Sequence, residues 1–246
     1  MKFTNDKLNE LLDAGDAWQA SDNLSKILFD KKQREKLFRK FMKVEYDISY
    51  DWFYKYFSEE LAERTKKKQD FTPPSVARML DQLIDNSNNN SLDVAAGTGQ
   101  LIVTKWNYDR KQHTPFDYFP SNFWYQAEEL KEENKPSRAL PFLLFNFLIR
   151  GMNGVVIAGD SLSRAISQVY FIQNPTDDFN GFSDLNVMPR TKEVEQIFDV
   201  RRWIDKPIIH IETELGGLKK DTKVDKEFAE KIRKVSEFVR KGQVKC

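Results

Sequence analysis

The sequence predicts an α/β fold, a parallel β-sheet with helices on both faces, preceded by a small helical N-terminal region. Three observations carry that prediction. Apolar residues recur at helical spacing over residues 4–65. An acidic strand end at Asp93 runs into a turn through Gly97 and Gly99. Short apolar segments that close on acidic residues then alternate with helical stretches, the pattern of strand-helix-strand units.

The chain has 246 residues, 40% of them apolar, enough for one well-packed domain with a smaller appendage but not for two full-sized domains. The 39 Lys and Arg nearly cancel the 38 Asp and Glu, leaving a net charge of +1, so a nucleic-acid surface must be a local patch. Cys246 is the only cysteine, which excludes an internal disulfide and a cysteine-based zinc site. With His113 and His210 the only imidazoles, a metal site would be mostly carboxylate, and none is expected. The longest apolar runs, such as residues 140–149 with Pro141 and Asn146, are too short to span a bilayer, and the N-terminus lacks a signal-peptide core. A reducing cytoplasm is the expected compartment.

In the N-terminal region the groups Leu8, Leu11, Leu12; Leu24, Ile27, Leu28; Leu37, Phe38, Phe41, Met42; and Trp52, Phe53, Tyr56, Phe57 fall on helical faces. At this spacing the aromatic stripe reads as core rather than as a base-stacking surface. The basic run Arg64, Lys66, Lys67, Lys68 leads into Asp70, Phe71, Thr72, Pro73 and Pro74, an extended turn before a helix at 75–84. An Asn- and Ser-rich loop at 85–90 precedes the first strand and the glycine turn. Further strands are expected at 123–127, 155–158, 168–173 and 207–212, a helix at about 137–149, and an amphipathic helix in the charged stretch 219–246. No internal repeat is present. The resulting organisation is a helical region at 1–65, a sheet domain at 66–215 and a charged C-terminal helix or tail at 216–246.

The glycine turn at 93–99 is where chemistry is expected, because glycine lets backbone pass close to a ligand at the carboxyl end of a strand. It is neither the GxGxxG fingerprint, since Ala95 takes the first glycine position, nor a Walker loop, since no Lys follows in place. Glu128 or Glu129 closes the second strand and Asp160 the third. A carboxylate there can accept both hydroxyls of a ribose or the amino group of an adenine. One residue of strand register decides between Glu128 and Glu129, and both remain candidates.

Phe71-Thr72-Pro73, then Asp93-Val94-Ala95-Ala96-Gly97-Thr98-Gly99, then Glu128-Glu129, Gly159-Asp160 and Asn174-Pro175 resemble, in that order, the motifs of N6-adenine DNA methyltransferases. The likeness is to the modification subunits of type I restriction systems, of a small bacterial or phage kind; its specific part is the pairing of Phe71-Thr72-Pro73 with the glycine loop about one helix later, and residues 66–160 are expected to form the cofactor-binding domain. It implies a Rossmann-like, S-adenosylmethionine (SAM)-dependent methyltransferase sheet. It implies that Phe71 and Thr72 border the methionine end of the cofactor and that Asp93, Ala95, Gly97, Thr98 and Gly99 shape the loop beneath it. Glu128 or Glu129 would hold the ribose, and Asp160, followed by Ser161, would face the adenine. Asn174 and Pro175 would hold the amino group of a flipped-out target adenine, with Phe179 or Phe182 as the stacking ring.

This sequence departs from the family pattern at Thr176 and Asp177, which stand where Pro and an aromatic are expected, and at Val94, which replaces a Pro. Two expectations follow: a DNA adenine-N6 methyltransferase, or a catalytically silent SAM-binding relative that acts on a protein of a restriction complex or against host restriction. The partners implied are DNA, through Lys31-Lys32-Gln33-Arg34, residues 64–68, Arg201-Arg202 or the tail, and a separate specificity subunit. Each basic stretch reads more readily as a solvated charged face than as a phosphate clamp.

Overall fold

The computed structural model describes residues 2–60, 72–83 and 89–213. The chain opens with four helices, α1 (Asn5–Leu11), α2 (Ala17–Leu28), α3 (Lys31–Val44) and α4 (Tyr54–Glu60). The first three start on side-chain caps: Thr4, Asp16 and Asp30 accept from the amides of Lys7, Gln19 and Gln33. There follow α5 (Pro74–Leu83), β1 (Asn90–Asp93), α6 (Gln100–Lys111), β2 (Trp124–Glu129), α7 (Leu140–Ile149), β3 (Gly154–Asp160), β4 (Ala165–Gln173), β5 (Asp184–Val187), α8 (Lys192–Ile197) and β6 (Arg202–Trp203). No described helix is long and apolar enough to cross a membrane.

The strands form one sheet in the order β1-β2-β3-β4-β5, with β6 beside the start of β4. Strands β1, β2 and β3 are parallel, so Asp93, Glu129 and Asp160 all emerge at one end. Strand β4 runs antiparallel to β3, and β5 antiparallel to β4. The sheet is therefore mixed, which corrects the all-parallel expectation. Only residues 161–164 separate β3 from β4, whereas a parallel connection needs a dozen or more residues.

Side-chain alternation gives the sheet two apolar faces. Tyr125, Ala127, Val156, Ala158, Tyr170 and Ile172 face the N-terminal helices and α7. Trp124, Val155, Ile157, Ile166, Val169 and Phe171 face away, where Val194 of α8 and Phe198 cover them. Helix α7 is apolar on every side and all ten of its residues are buried, as expected of a helix wedged between two layers. The Phe145 ring packs at 4.8–5.0 Å between centroids against Phe38, Phe41 and Phe53. The aromatic stripe is thus core, and a single buried cluster runs from Phe3 to Val187. The helical region is one layer of that core rather than an appendage.

Two further expectations are corrected. Residues 207–212 form no strand: Val187 donates to the His210 carbonyl, but the amides of Glu212 and Thr213 bond to the Asn186 side chain instead of a ladder. The basic stretch at Lys31 is structural. Arg34 is buried and grips Glu212 through two hydrogen bonds of 2.7 and 2.6 Å, while Lys31 pairs with Asp184 at 2.6 Å. Hydrogen bonds from Arg34 and His210 outweigh burial and hold the Glu212 carboxyl down at about 2. The basic run at 64–68, the loop at 85–88 and the expected helix in 219–246 lie outside the described residues.

Phe145→Ala should lower stability by about 4 kcal/mol, since a ring is lost between two layers that cannot close over the void. Urea denaturation measures this, and a loss below about 1 kcal/mol would mean that the layers are not wedged by this ring.

Candidate functional site

At the end of the sheet where the three parallel strands finish, a crevice of about 420 Å³ opens. Its lining includes Thr72, Asp93, Ala95, Gly97, Glu129, Asp160 and Ser161, so seven of the sequence-predicted residues meet in one place. Phe71 lies outside the described residues. Tyr54 and Phe57 of α4 add an aromatic wall, and Gln100, Leu101, Leu130 and Leu162 complete the rim. Those six were missed; Phe57 falls on a helical face that reads as core.

The loop after β1 is stitched to the end of β2. The Ala96 amide donates to the Glu128 carbonyl at 2.9 Å, and the Gly97 amide to Glu129 Oε2 at 2.8 Å. Gly97 has φ 57° and Gly99 φ 102°, the left-handed region that favours glycine. At Gly99 a Cβ would also come within 2.9 Å of Leu143 Cδ1 on α7. Gly99 caps α6 and Thr98 points into the core, so neither lines the crevice; both shape it from behind.

Thr98 is held by a buried polar network that begins in the N-terminal region. Its hydroxyl donates to Asp51 Oδ2 at 2.5 Å, and Asn146 Nδ2 donates both to Asp51 Oδ1 at 2.8 Å and to the Thr98 carbonyl at 2.7 Å. Arg150 Nη1 in turn donates to Asn146 Oδ1 at 2.6 Å. Burial raises the Asp51 carboxyl above the usual range and brings the Arg150 guanidinium down to about 10.

The three strand-end acids differ in state. Burial pushes the Glu129 carboxyl up to about 7, against the Gly97 hydrogen bond, with the nearby Asp93 charge adding to the rise. Burial also raises Asp93, whose Oδ1 accepts from the Ala95 amide at 3.1 Å. Its Oδ2 is buried without a hydrogen-bond partner among the described residues. Asp160 is held below the usual range by the Ser163 hydroxyl and the Leu162 amide, which close the β3–β4 turn. Glu128 is excluded from the site. One residue out of register with Glu129, it faces the opposite side of the sheet and pairs with Arg164 at 2.6 Å.

Asn174, Pro175 and Phe179 are not in the crevice, and this corrects the expected base-holding loop. Because β4 runs antiparallel, its end pairs with the start of β3: Ile172 sits opposite Gly154, and Ala165 opposite Asp160. Asn174 therefore lies roughly 20 Å from the strand-end acids, the length of β3 at about 3.3 Å per residue. Its amide is also spent. Nδ2 donates to the carbonyls of Asp178 at 2.9 Å and Gly151 at 3.3 Å, while Oδ1 accepts from Thr176. Asp177 turns back onto Ser121, and Phe179 packs edge-on against Tyr118. Phe182 lies against Phe38, also in the core.

The profile of the N-6 DNA methylase family matches residues 47–178, more than half of the chain and a stretch that contains Asp51, α4, the glycine loop and all three strand ends. The chain belongs to the N-6 DNA methylase family and is DNA methyltransferase-like. No curated protein and no solved structure matches the chain.

Thr98→Val should cost about 2–3 kcal/mol in thermal or urea unfolding, because the Asp51 carboxylate loses a buried donor, whereas Thr98→Ser should retain most of the stability. Equal losses in the two variants would mean that the methyl group, not the hydroxyl, holds the loop.

Proposed function

We propose that the crevice binds SAM and that the protein serves the methylation of adenine N6 in DNA. The observation that carries this reading is the pair of carboxylates, Asp93 and Glu129, set around the Gly97 turn, with Asp93 Oδ2 lacking a partner among the described residues. The residues present fit the cofactor. Its cationic ammonium and sulfonium and its ribose diol call for carboxylate acceptors, and about 420 Å³ is within the range of small-molecule sites. When bound, SAM supplies an activated methyl group.

The chain's own residues bind and orient. Glu129, already fixed at Oε2 by Gly97, accepts ribose hydroxyls; Asp93 Oδ2 accepts from a cationic donor; Tyr54 and Phe57 exclude water from one wall. Thr72, Asp160 and Ser161 border the opening. Ionised Glu129 is the better acceptor and forms as pH rises through about 7. SAM affinity measured by calorimetry should therefore rise by up to about tenfold between roughly pH 6 and pH 8, and Glu129→Gln should bind weakly with no such slope. A wild-type affinity that stays flat across that range would remove Glu129 from the ribose role.

The location of Asn174 favours a second reading, in which this chain does not hold the base itself and is a catalytically silent cofactor-binding relative acting through a protein partner, a specificity subunit or another protein of a restriction complex. Long-read sequencing of DNA from a methylation-free bacterial host expressing the protein separates the two. N6-methyladenine in a consistent sequence context, undiminished by Asn174→Ala, establishes transfer by a base site other than this loop. Unmodified DNA together with a stoichiometric protein partner and no retained DNA establishes the silent relative.

A further inference from the structure

We propose that the solvent face of α3 binds the phosphate backbone of duplex DNA. The choice of DNA among polyanions rests on the methylation reading above, whereas the surface itself does not depend on SAM. Lys31 and Arg34 are spent on Asp184 and Glu212, but the same helix carries a second, outward row of cations. Lys32, Lys36, Arg39, Lys40 and Lys43 are all exposed. Steps of four, three, one and three residues keep them on one side of the helix, along roughly 16 Å at 1.5 Å per residue.

Helix α3 holds seven Lys and Arg against one Glu, in a chain whose net charge is +1. That acid, Glu35, pairs with Arg39 at 2.9 Å. Lys36, Lys40 and Lys43 make no ion pair or hydrogen bond among the described residues, and Lys32 feels only the charge of the Asp30 cap. The arrangement works against the helix. Lys32 and Lys36, Lys36 and Lys40, and Arg39 and Lys43 are four apart, where like charges repel, and Lys32 stands in the first turn, at the positive end of the helix dipole. Solvation alone would be served as well by mixed signs, as in α8 with Lys192, Glu193 and Glu195. A bound polyanion relieves both strains.

Three observations select the partner. The crevice lining contributes Asp93, Glu129 and Asp160 but no Lys, Arg or His among the described residues, so a duplex held there must find its phosphate contacts elsewhere. The α3 face has no apolar centre of the kind around which a protein interface is built, since Met42 is the only large apolar residue exposed on it. Its rings, Phe38 and Phe41, are fully buried and give the bases of a single strand nothing to stack on. What remains is a straight row of cations, the complement of a duplex backbone.

The test follows the fluorescence anisotropy of a labelled duplex of about 25 base pairs titrated with the full chain, without SAM, between roughly 50 and 200 mM sodium chloride. The logarithm of the association constant should fall against that of the salt concentration with a slope of about −3 to −4, one phosphate for each lysine. Lys32→Gln, Lys36→Gln, Lys40→Gln and Lys43→Gln should each reduce the slope by about 1, and all four together should weaken binding at least about tenfold. The same four positions changed to Arg should bind as the wild type does. Lys192→Gln, on the helix that covers the opposite face of the sheet, should change neither affinity nor slope. The proposal is overturned if the duplex is not bound, if the fourfold Gln variant keeps the wild-type affinity and slope, or if a single strand of the same length binds more tightly than the duplex. Duplex binding that the fourfold Gln variant loses, in a protein that leaves host DNA unmethylated, would sustain this surface and remove the methylation reading. Methylation of host DNA undiminished in that variant would keep the reading and remove the surface.

Discussion

A chain that leaves one strand at Asp160 and starts the next at Ala165 has four residues in which to turn, and that length permits only a reversal. The arrangement of the molecule follows from this short connection. It makes β3 and β4 a hairpin and carries β4 back along β3 to the far end of the sheet. The three acids at the parallel strand ends stay together at one end, and the Asn174 turn is delivered to the other. A ligand can then meet a glycine loop and carboxylates at one end, while the opposite end is closed by a turn bonded to itself.

The same end of the sheet shows how environment separates three chemically similar groups. Asp160 sits in an open turn where a hydroxyl and an amide favour its charge, whereas Glu129 and Asp93 are raised by burial. Two nearby carboxylates, each reluctant to ionise, form a pair suited to a cationic or hydrogen-bond-donating ligand. The glycine loop between them is placed from below. Asp51, Asn146 and Arg150 fix Thr98 in a buried network, which is costly when half made and rigid when complete.

Much of this was legible in the sequence. The periodic apolar residues of the first 60 positions gave the helices and their buried faces, and Asp93 through Gly99 gave the loop together with its place at a strand end. What escaped has physical causes. Glu128 and Glu129 are chemically alike, and only the pleat decides which faces the crevice. Thr98 looked like a loop residue because its partner, Asp51, is distant in sequence. The direction of β4 was within reach: the expected strands at 155–158 and 168–173 leave too few residues for a crossover helix. The motif order points to Asn174, whereas that spacing places it at the far end of the sheet. Arg34, read as part of a basic surface, is recognised as structural only once Glu212 is seen against it.

The Asp51–Thr98 contact also bears on modularity. The glycine loop takes its conformation from a carboxylate 47 residues earlier in the chain, and the aromatic wall of the crevice comes from the α4 helix just beyond it. A fragment cut to begin at the FTP element would keep every recognisable motif and lose the floor and one wall of the pocket. The smallest autonomous unit of this protein is therefore larger than its set of signature motifs, and any transplant or truncation that preserves the crevice has to carry the helical layer with it.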